Sequence, residues 1–262
     1  MRNLLADAHA EVLARFAWSN VLVGLDFDGT LAPIVDDPAA ARMRASTRAL
    51  LARVAASYPV AIVSGRARAD VRRRLDGVRV NEVVGNHGLE PGGDIARCRE
   101  VVARWVPELR RRLADLPGVE IEDKTYSVAV HYRRSRTRRA AHAAIRAAVA
   151  ALGPGTRSLG GKLVVNVIPI GAPHKGIAMV RLRRELAADT VLYVGDDITD
   201  EDVFGFDDPG RLLGVRVGRS RASRADYYIP TQRSMDTLLA RLIALRSDVS
   251  SPRHVEGECA TR

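Results

Sequence analysis

Asp26 and Asp28 stand one residue apart where the apolar run Val21-Leu22-Val23-Gly24-Leu25 ends, and Gly29-Thr30 follows. Residues two apart on a strand point to one side, so both carboxylates leave the run together, and Gly29 allows a turn close to a ligand. Such a pair can bind a hard cation through oxygen. One member can also attack an electrophile while the other moves protons. Asp-x-Asp-Gly opens many solvated turns and calcium loops as well, so the pair alone leaves both readings open.

Three more polar clusters share its kind of location. Ser64-Gly65-Arg66 follows the run Val60-Ala61-Ile62-Val63, Asp196-Asp197 with Asp200 follows Thr190 to Val194, and Lys175 opens a helical segment. Convergence at the carboxyl ends of strands is where open α/β sheets build their sites. The set suits phosphoryl transfer, in which negative charge on the ester and its equatorial oxygens must be offset by a cation and by donors. Asp26 would attack phosphorus and form an aspartyl phosphate. Asp28 would protonate the departing oxygen and then activate water. The Asp26 and Asp196 carboxylates with the Asp28 carbonyl offer hard ligands for Mg2+. Ser64 and Lys175 would hold phosphate oxygens, and Asp200 would orient Lys175 or a metal-bound water. Lysine is scarce: all but Lys124, Lys162 and Lys175 of the 41 basic residues are arginine. A lysine in such a chain marks a place that needs a compact point charge.

The elements that must position these groups alternate. Apolar strands at Val21–Leu25, Val60–Val63 and Glu82–Val84 are separated by helices near Ser46–Ala56 and in the Arg-rich segment after Arg66. This rhythm predicts a parallel sheet with right-handed crossovers. It breaks after Glu90 at Pro91-Gly92-Gly93. A helix near Cys98–Ala114, strands at Val119–Glu122 and Ser127–Tyr132, a helix near Ala140–Leu152 and a strand at Lys162–Ile168 then form an α+β insert. In the second of those strands Val128, Val130 and Tyr132 alternate with polar or small residues, as in a half-buried strand. Pro169 to Pro173 reads as the return linker. The α/β rhythm resumes with a helix at Lys175–Leu186, strands at Thr190–Val194, Leu213–Val217 and Tyr227–Ile229, and a helix near Met235–Leu245. The expected division is a core of residues 1–90 and 173–246, an insert of 91–172, and a disordered tail of 247–262.

At 262 residues, 47% hydrophobic and 27% charged, the composition is that of a folded globule. The net charge of +10 raises the question of a polyanion, but the arginines are spread over every helix and aromatics make up 5%. A nucleic-acid platform of stacked rings is therefore not expected. Cys98 and Cys259 suggest neither a disulfide framework nor a thiolate metal site. No stretch reaches transmembrane length, and Met1 to Phe16 reads as a short amphipathic helix, so a cytoplasmic protein is expected, as a monomer and without membrane contact.

In these motifs the chain resembles the haloacid dehalogenase (HAD) superfamily of aspartate-nucleophile phosphatases, and within it the trehalose-6-phosphate phosphatases. The matching segments are Leu25 to Ile34, Ser64-Gly65-Arg66, Gly85-Asn86-His87-Gly88-Leu89-Glu90, Glu122-Asp123-Lys124, Val128 to Arg133 and Gly195 to Asp202. The resemblance implies a HAD-like Rossmannoid core with a parallel sheet and an inserted α+β cap of the C2 type over the site. It also implies Mg2+-dependent hydrolysis of a disaccharide phosphate, foremost trehalose 6-phosphate. Ser64, Gly65, Arg66, Asn86 and His87 would then line the core side of the substrate cleft, with Glu122, Lys124, Arg133 and Asn166 reaching from the cap. Asp26, Asp28 and Asp196 would bind the metal, supported by Asp197 and Asp200. One segment departs from the family pattern, which places a glutamate and a cation where this chain has Asn166 and Ile168. Asn166 keeps an acceptor but loses the anion, which leaves a trehalose-like amino- or pseudo-disaccharide phosphate as an alternative substrate. Transfer of the phosphoryl group to a sugar hydroxyl, or polyanion binding by an inactive fold, are further alternatives.

Overall fold

The computed structural model describes residues 1–91, 95–161, 163–206 and 210–247. The first stretch carries β1 (Arg2–Asn3), α1 (Ala10–Trp18), β2 (Val21–Leu25), α2 (Ala45–Ser57), β3 (Val60–Val63), α3 (Arg68–Arg74) and β4 (Glu82–Val84). The insert follows with α4 (Ile95–Arg112), β5 (Glu120–Asp123), β6 (Val128–His131), α5 (Arg138–Ala150), β7 (Thr156–Gly161) and β8 (Val164–Pro169). The chain then returns through α6 (Lys175–Glu185), β9 (Thr190–Gly195), α7 (Glu201–Phe204), β10 (Leu212–Val217), β11 (Tyr227–Ile229) and α8 (Ser234–Ser247).

Seven parallel strands form the main sheet in the order β1-β11-β10-β9-β2-β3-β4. From β2 the chain builds outward through β3 and β4, and after the insert it builds the other way from β9. The strand order therefore reverses between β2 and β9, and a crevice opens there at the carboxyl ends. Every residue of β2 is buried, because helices cover both faces. One apolar layer packs β2, β3 and β9 against α1, α2 and α8, and the opposite layer packs them against α6 and α7.

The insert has its own antiparallel sheet, ordered β5-β6-β8-β7. Val128, Val130, Val165 and Val167 face α4 and α5 in a separate apolar cluster with Trp105, Leu109 and Ile145. The other face carries the cross-strand row Glu122, Ala129, Asn166 and Leu159.

Four sequence expectations change. The N-terminus is not one helix from Met1: Arg2 and Leu4 donate backbone hydrogen bonds to Asp226 and Tyr228, and Leu4 is fully buried, so the chain extends a sheet edge before α1. The insert has a strand that went unread, β7, whose Gly160-Gly161 and single apolar Leu159 give no alternation because it is a part-exposed sheet edge. β6 is buried on both faces rather than one, since Ser127 and Ala129 turn toward the core. Pro169 ends β8 instead of opening the linker. The expected tail beyond Ser247, Cys259, Lys162 and Gly92-Gly93 lie outside the described residues.

Candidate active site

Asp26 directly follows β2, and its N–H donates to Val194 O of β9 at 2.9 Å, which fixes it at the crevice between the two strands. The turn beyond is tight: Gly29 N–H meets Ala32 O at 2.7 Å, and Leu31 and Ala32 donate to Phe27 O. Gly29 is required here, since its φ is +83° and a Cβ would lie 2.1 Å from Asp196 Oδ2.

Lys175, the first residue of α6, enters this turn from below. Its Nζ donates to Asp26 Oδ1 at 2.9 Å and to Asp200 Oδ1 at 2.7 Å, with the lysine 2% exposed. Tyr193 of β9 donates a second hydrogen bond to Asp200 Oδ1 at 2.7 Å, and the Asp197 N–H donates to Asp200 Oδ2 at 2.9 Å. Asp200 is thus saturated with donors and anchors the lysine. Burial disfavours the Lys175 ammonium, but Asp200 and Asp26 outweigh it and raise its pKa. Burial likewise pushes Asp26 well above the ordinary carboxylate range, with Lys175 opposing. Tyr193 was not singled out from the sequence; the signal available was one phenol in the otherwise aliphatic run before Gly195.

Asp196 completes the acidic group. Oxygens of Asp26, Asp196 and Asp200 lie within 4.8 Å of one another, and Asp196 Oδ1 is buried with no hydrogen-bond partner among the described residues. Burial, then Asp200 and Asp197, push Asp196 up to about 7. An orphaned carboxylate oxygen beside a second carboxylate is the donor set that a hard divalent cation satisfies, so these residues fit Mg2+.

The loops after β3 and β4 are laced together on the β2 side of the crevice. Ser64 N–H donates to Val84 O, His87 N–H to Ser64 O at 2.9 Å, and Asn86 N–H to Arg66 O at 2.8 Å. Asn86 and His87 have φ of +48° and +58°, an uncommon conformation for residues with a Cβ. Their side chains are buried, yet neither the Asn86 amide nor either His87 ring nitrogen has a hydrogen-bond partner among the described residues. Burial, helped by Lys124 and Lys175, holds His87 well below its ordinary pKa and neutral. The ring lies against Gly65, whose Cβ position is 2.4 Å from His87 Cε1.

The insert closes over this floor. Lys124 Nζ donates to Gly65 O at 3.3 Å, and burial lowers its pKa. Glu122 Oε2 is 2.9 Å from His131 Nε2 and 4.0 Å from Lys124 Nζ; the His131 hydrogen bond lowers its pKa. Arg133 pairs with Asp36 of the core at 2.8 Å. Arg157 of β7 pairs with Asp202 at 3.1 Å, and Gly161 packs near Asp197. Asn166 is buried on the face turned to the core, and Ile168 beside it lies opposite Arg157, so that a cation sits across the strand from Ile168. Arg66 is held by Asp28, at 2.6 and 2.7 Å. Asp36 and Arg157 escaped the sequence reading because only tertiary contact pairs them with Arg133 and Asp202; Asp70 escaped it although Arg66, Arg73 and Arg74 stand three or four residues from it.

The trehalose-phosphatase family profile matches residues 24–224. The chain is 40% identical over 209 residues to a trehalose-phosphate phosphatase of Mycolicibacterium paratuberculosis, covering 74% of this chain and 53% of that protein. It is 36% identical over 196 residues to that of Mycobacterium tuberculosis, covering 70% and 50%. The chain thus spans about half the length of the curated relatives it matches. Among solved structures, the C-terminal domain of the Candida albicans trehalose-6-phosphate phosphatase superposes with a TM-score of 0.70 at 22% identity, covering 90% of this chain and 96% of that one. The Synechocystis sucrose-phosphatase gives 0.55 at 15% identity, covering 86% and 98%. These structural likenesses support the HAD fold.

Proposed function

The chain belongs to the trehalose-phosphatase family, and from that membership we propose that it is a phosphoric monoester hydrolase that converts trehalose 6-phosphate to trehalose and phosphate. The observation that carries the reading is the juxtaposition of Asp26, Lys175 and the orphaned Asp196 oxygen beneath the insert face that bears Glu122, Lys124 and Asn166.

In the proposed reaction an Asp26 carboxylate oxygen forms a bond to phosphorus while the bond from phosphorus to the sugar oxygen breaks. The electron pair stays on that oxygen, which takes the proton of Asp28. The Asp28 carboxylate then accepts a proton from water as the water oxygen attacks phosphorus. The bond from phosphorus to Asp26 breaks, and its electrons return to the carboxylate. Lys175 neutralises charge beside Asp26 in both halves. The Asp26 and Asp196 carboxylates with the Asp28 carbonyl would hold Mg2+, supported by Asp197 and Asp200. That ion, when bound, would offset phosphate charge. Ser64, the orphaned Asn86 amide and the neutral His87 ring are donors and acceptors for phosphate oxygens or sugar hydroxyls. Glu122, Lys124, Arg133 and Asn166 would supply the sugar-facing contacts.

Phosphate release from a panel of mono- and disaccharide phosphates, with and without Mg2+, tests the reading. Mg2+-dependent release is expected to be fastest from trehalose 6-phosphate and absent in Asp26→Asn. No release from any disaccharide phosphate overturns it, and near-normal activity of Asp26→Asn removes Asp26 as nucleophile.

A further inference from the structure

Arg66 stands two residues after Ser64, where a guanidinium would be expected to reach for phosphate. Its donors are committed elsewhere. Nε donates to Asp28 Oδ2 at 2.6 Å and Nη2 to Asp28 Oδ1 at 2.7 Å, a two-pronged pair that takes both oxygens of the carboxylate. Nη2 also meets Pro38 O at 2.8 Å, and Nη1 meets Asp70 Oδ2 at 3.1 Å. The Arg66 side chain is only 14% exposed. Asp70 is itself gripped by Arg73 at 3.0 Å and Arg74 at 2.8 Å, so Arg66 is anchored from behind.

A charge-assisted fork of this kind is about twice as strong as a neutral hydrogen bond and fixes the plane of the carboxylate. The two prongs take one lone pair on each oxygen of Asp28 and leave the other on each for an ester oxygen or a water. We propose that Arg66 is a positioning residue for Asp28: the fork fixes the plane of the carboxylate and so holds its remaining lone pairs in one orientation for proton transfer, while Asp70 keeps the guanidinium in place. This rests on the proposed role of Asp28 as the acid and base of phosphoester hydrolysis. It differs from a direct phosphate-binding role for Arg66, which would act on substrate affinity.

Leaving-group dependence separates the two. A sugar oxygen needs a proton as it departs, whereas p-nitrophenolate does not, so the first half-reaction on p-nitrophenyl phosphate bypasses Asp28. Arg66→Gln is expected to lower kcat on trehalose 6-phosphate by about 100-fold, the lower range for lost acid-base assistance, with KM held within about threefold. The first-turnover burst of p-nitrophenolate, which reports phosphorylation of Asp26 alone, is expected to stay within about threefold of wild type on the same grounds. Arg66→Lys, which keeps the charge but not the fork, should recover part of the loss. On an Asp28→Asn background Arg66→Gln should cost nothing further, because the two residues act as one unit. Thermal melts by circular dichroism check folding; where Arg66→Gln does not fold, Arg66→Lys and Asp70→Asn carry the same comparison. Three results overturn the proposal: a burst that slows as much as sugar-phosphate turnover, a KM raised on both substrates at unchanged kcat, or additive losses in the double variant. If wild type spares every disaccharide phosphate, the proposed function falls, while the burst and the double variant on p-nitrophenyl phosphate still decide Arg66.

Discussion

At the scale of single residues, the centre is a buried ammonium shared by two carboxylates. Lys175 is 2% exposed, Asp26 4% and Asp200 fully buried, so each charge is tolerated only because the others are present. Removing one partner of such a group leaves an uncompensated buried charge, which typically costs about 3–5 kcal/mol. Lys175→Met is therefore expected to lower stability by about that amount in urea titrations, well beyond the effect of an exposed Lys→Met change, and to abolish turnover. Asp70 makes a different prediction. Burial pushes its carboxyl up, but hydrogen bonds from Arg74, Arg73 and Arg66 prevail and hold it at about 2, against an ordinary 3.8. The folded state thus binds fewer protons than the unfolded one between these values, so the contribution is complete above about pH 4 and fades toward about pH 2. Urea midpoints of wild type and Asp70→Asn should differ at pH 6 and converge as pH falls through that window.

At the scale of elements, the turn after β2 and the short segment after β9 are built to touch. Gly29 brings its backbone against the Asp196 carboxylate, and Gly195 does the same with Asp200, whose Cγ would lie 2.2 Å from an added Cβ. A methyl group at Gly29 would force Asp196 aside and strain a φ of +83°. A displacement of about 1 Å in a site can cost on the order of 100-fold in rate, so Gly29→Ala is expected to lower kcat by at least about that factor. Steady-state assays on the purified variant check this, with a melt to show that the fold survives. The insert is held by dispersed contacts instead: Lys124 on Gly65, Arg133 on Asp36, and Arg157 on Asp202. The two part-exposed ion pairs among these contribute about 0 to 1 kcal/mol each.

At the scale of the whole molecule, two apolar layers flank the main sheet and a third cluster fills the insert, and the site lies where the sheet reverses its strand order beneath the insert. No helix among the described residues is long and apolar enough to cross a membrane. The acidic group at the reversal is a cost of folding unless a cation occupies it, since a ligand that binds only the folded state stabilises it. Adding millimolar Mg2+ at pH 7.5 is expected to raise the melting temperature, and Asp196→Asn to abolish that rise. An equal rise in both proteins would remove Asp196 from the metal site.

Local pattern was enough for much of this. The apolar runs at Val21–Leu25, Val60–Val63 and Glu82–Val84 have the same bounds in the structure, because a strand buried on both faces has no freedom in its composition. The positions of Asp26, Asp28, Ser64 and Asp196 were legible for a related reason: a strand end followed by a polar cluster states its own place in the sheet. What the sequence could not specify is pairing. That Asp200 anchors Lys175 together with Tyr193, that Arg66 grips Asp28, and that β7 closes the insert sheet with Arg157 reaching Asp202, all depend on residues brought together from distant parts of the chain. Periodicity records which face of an element is apolar. Only the packing of those faces decides which charges meet.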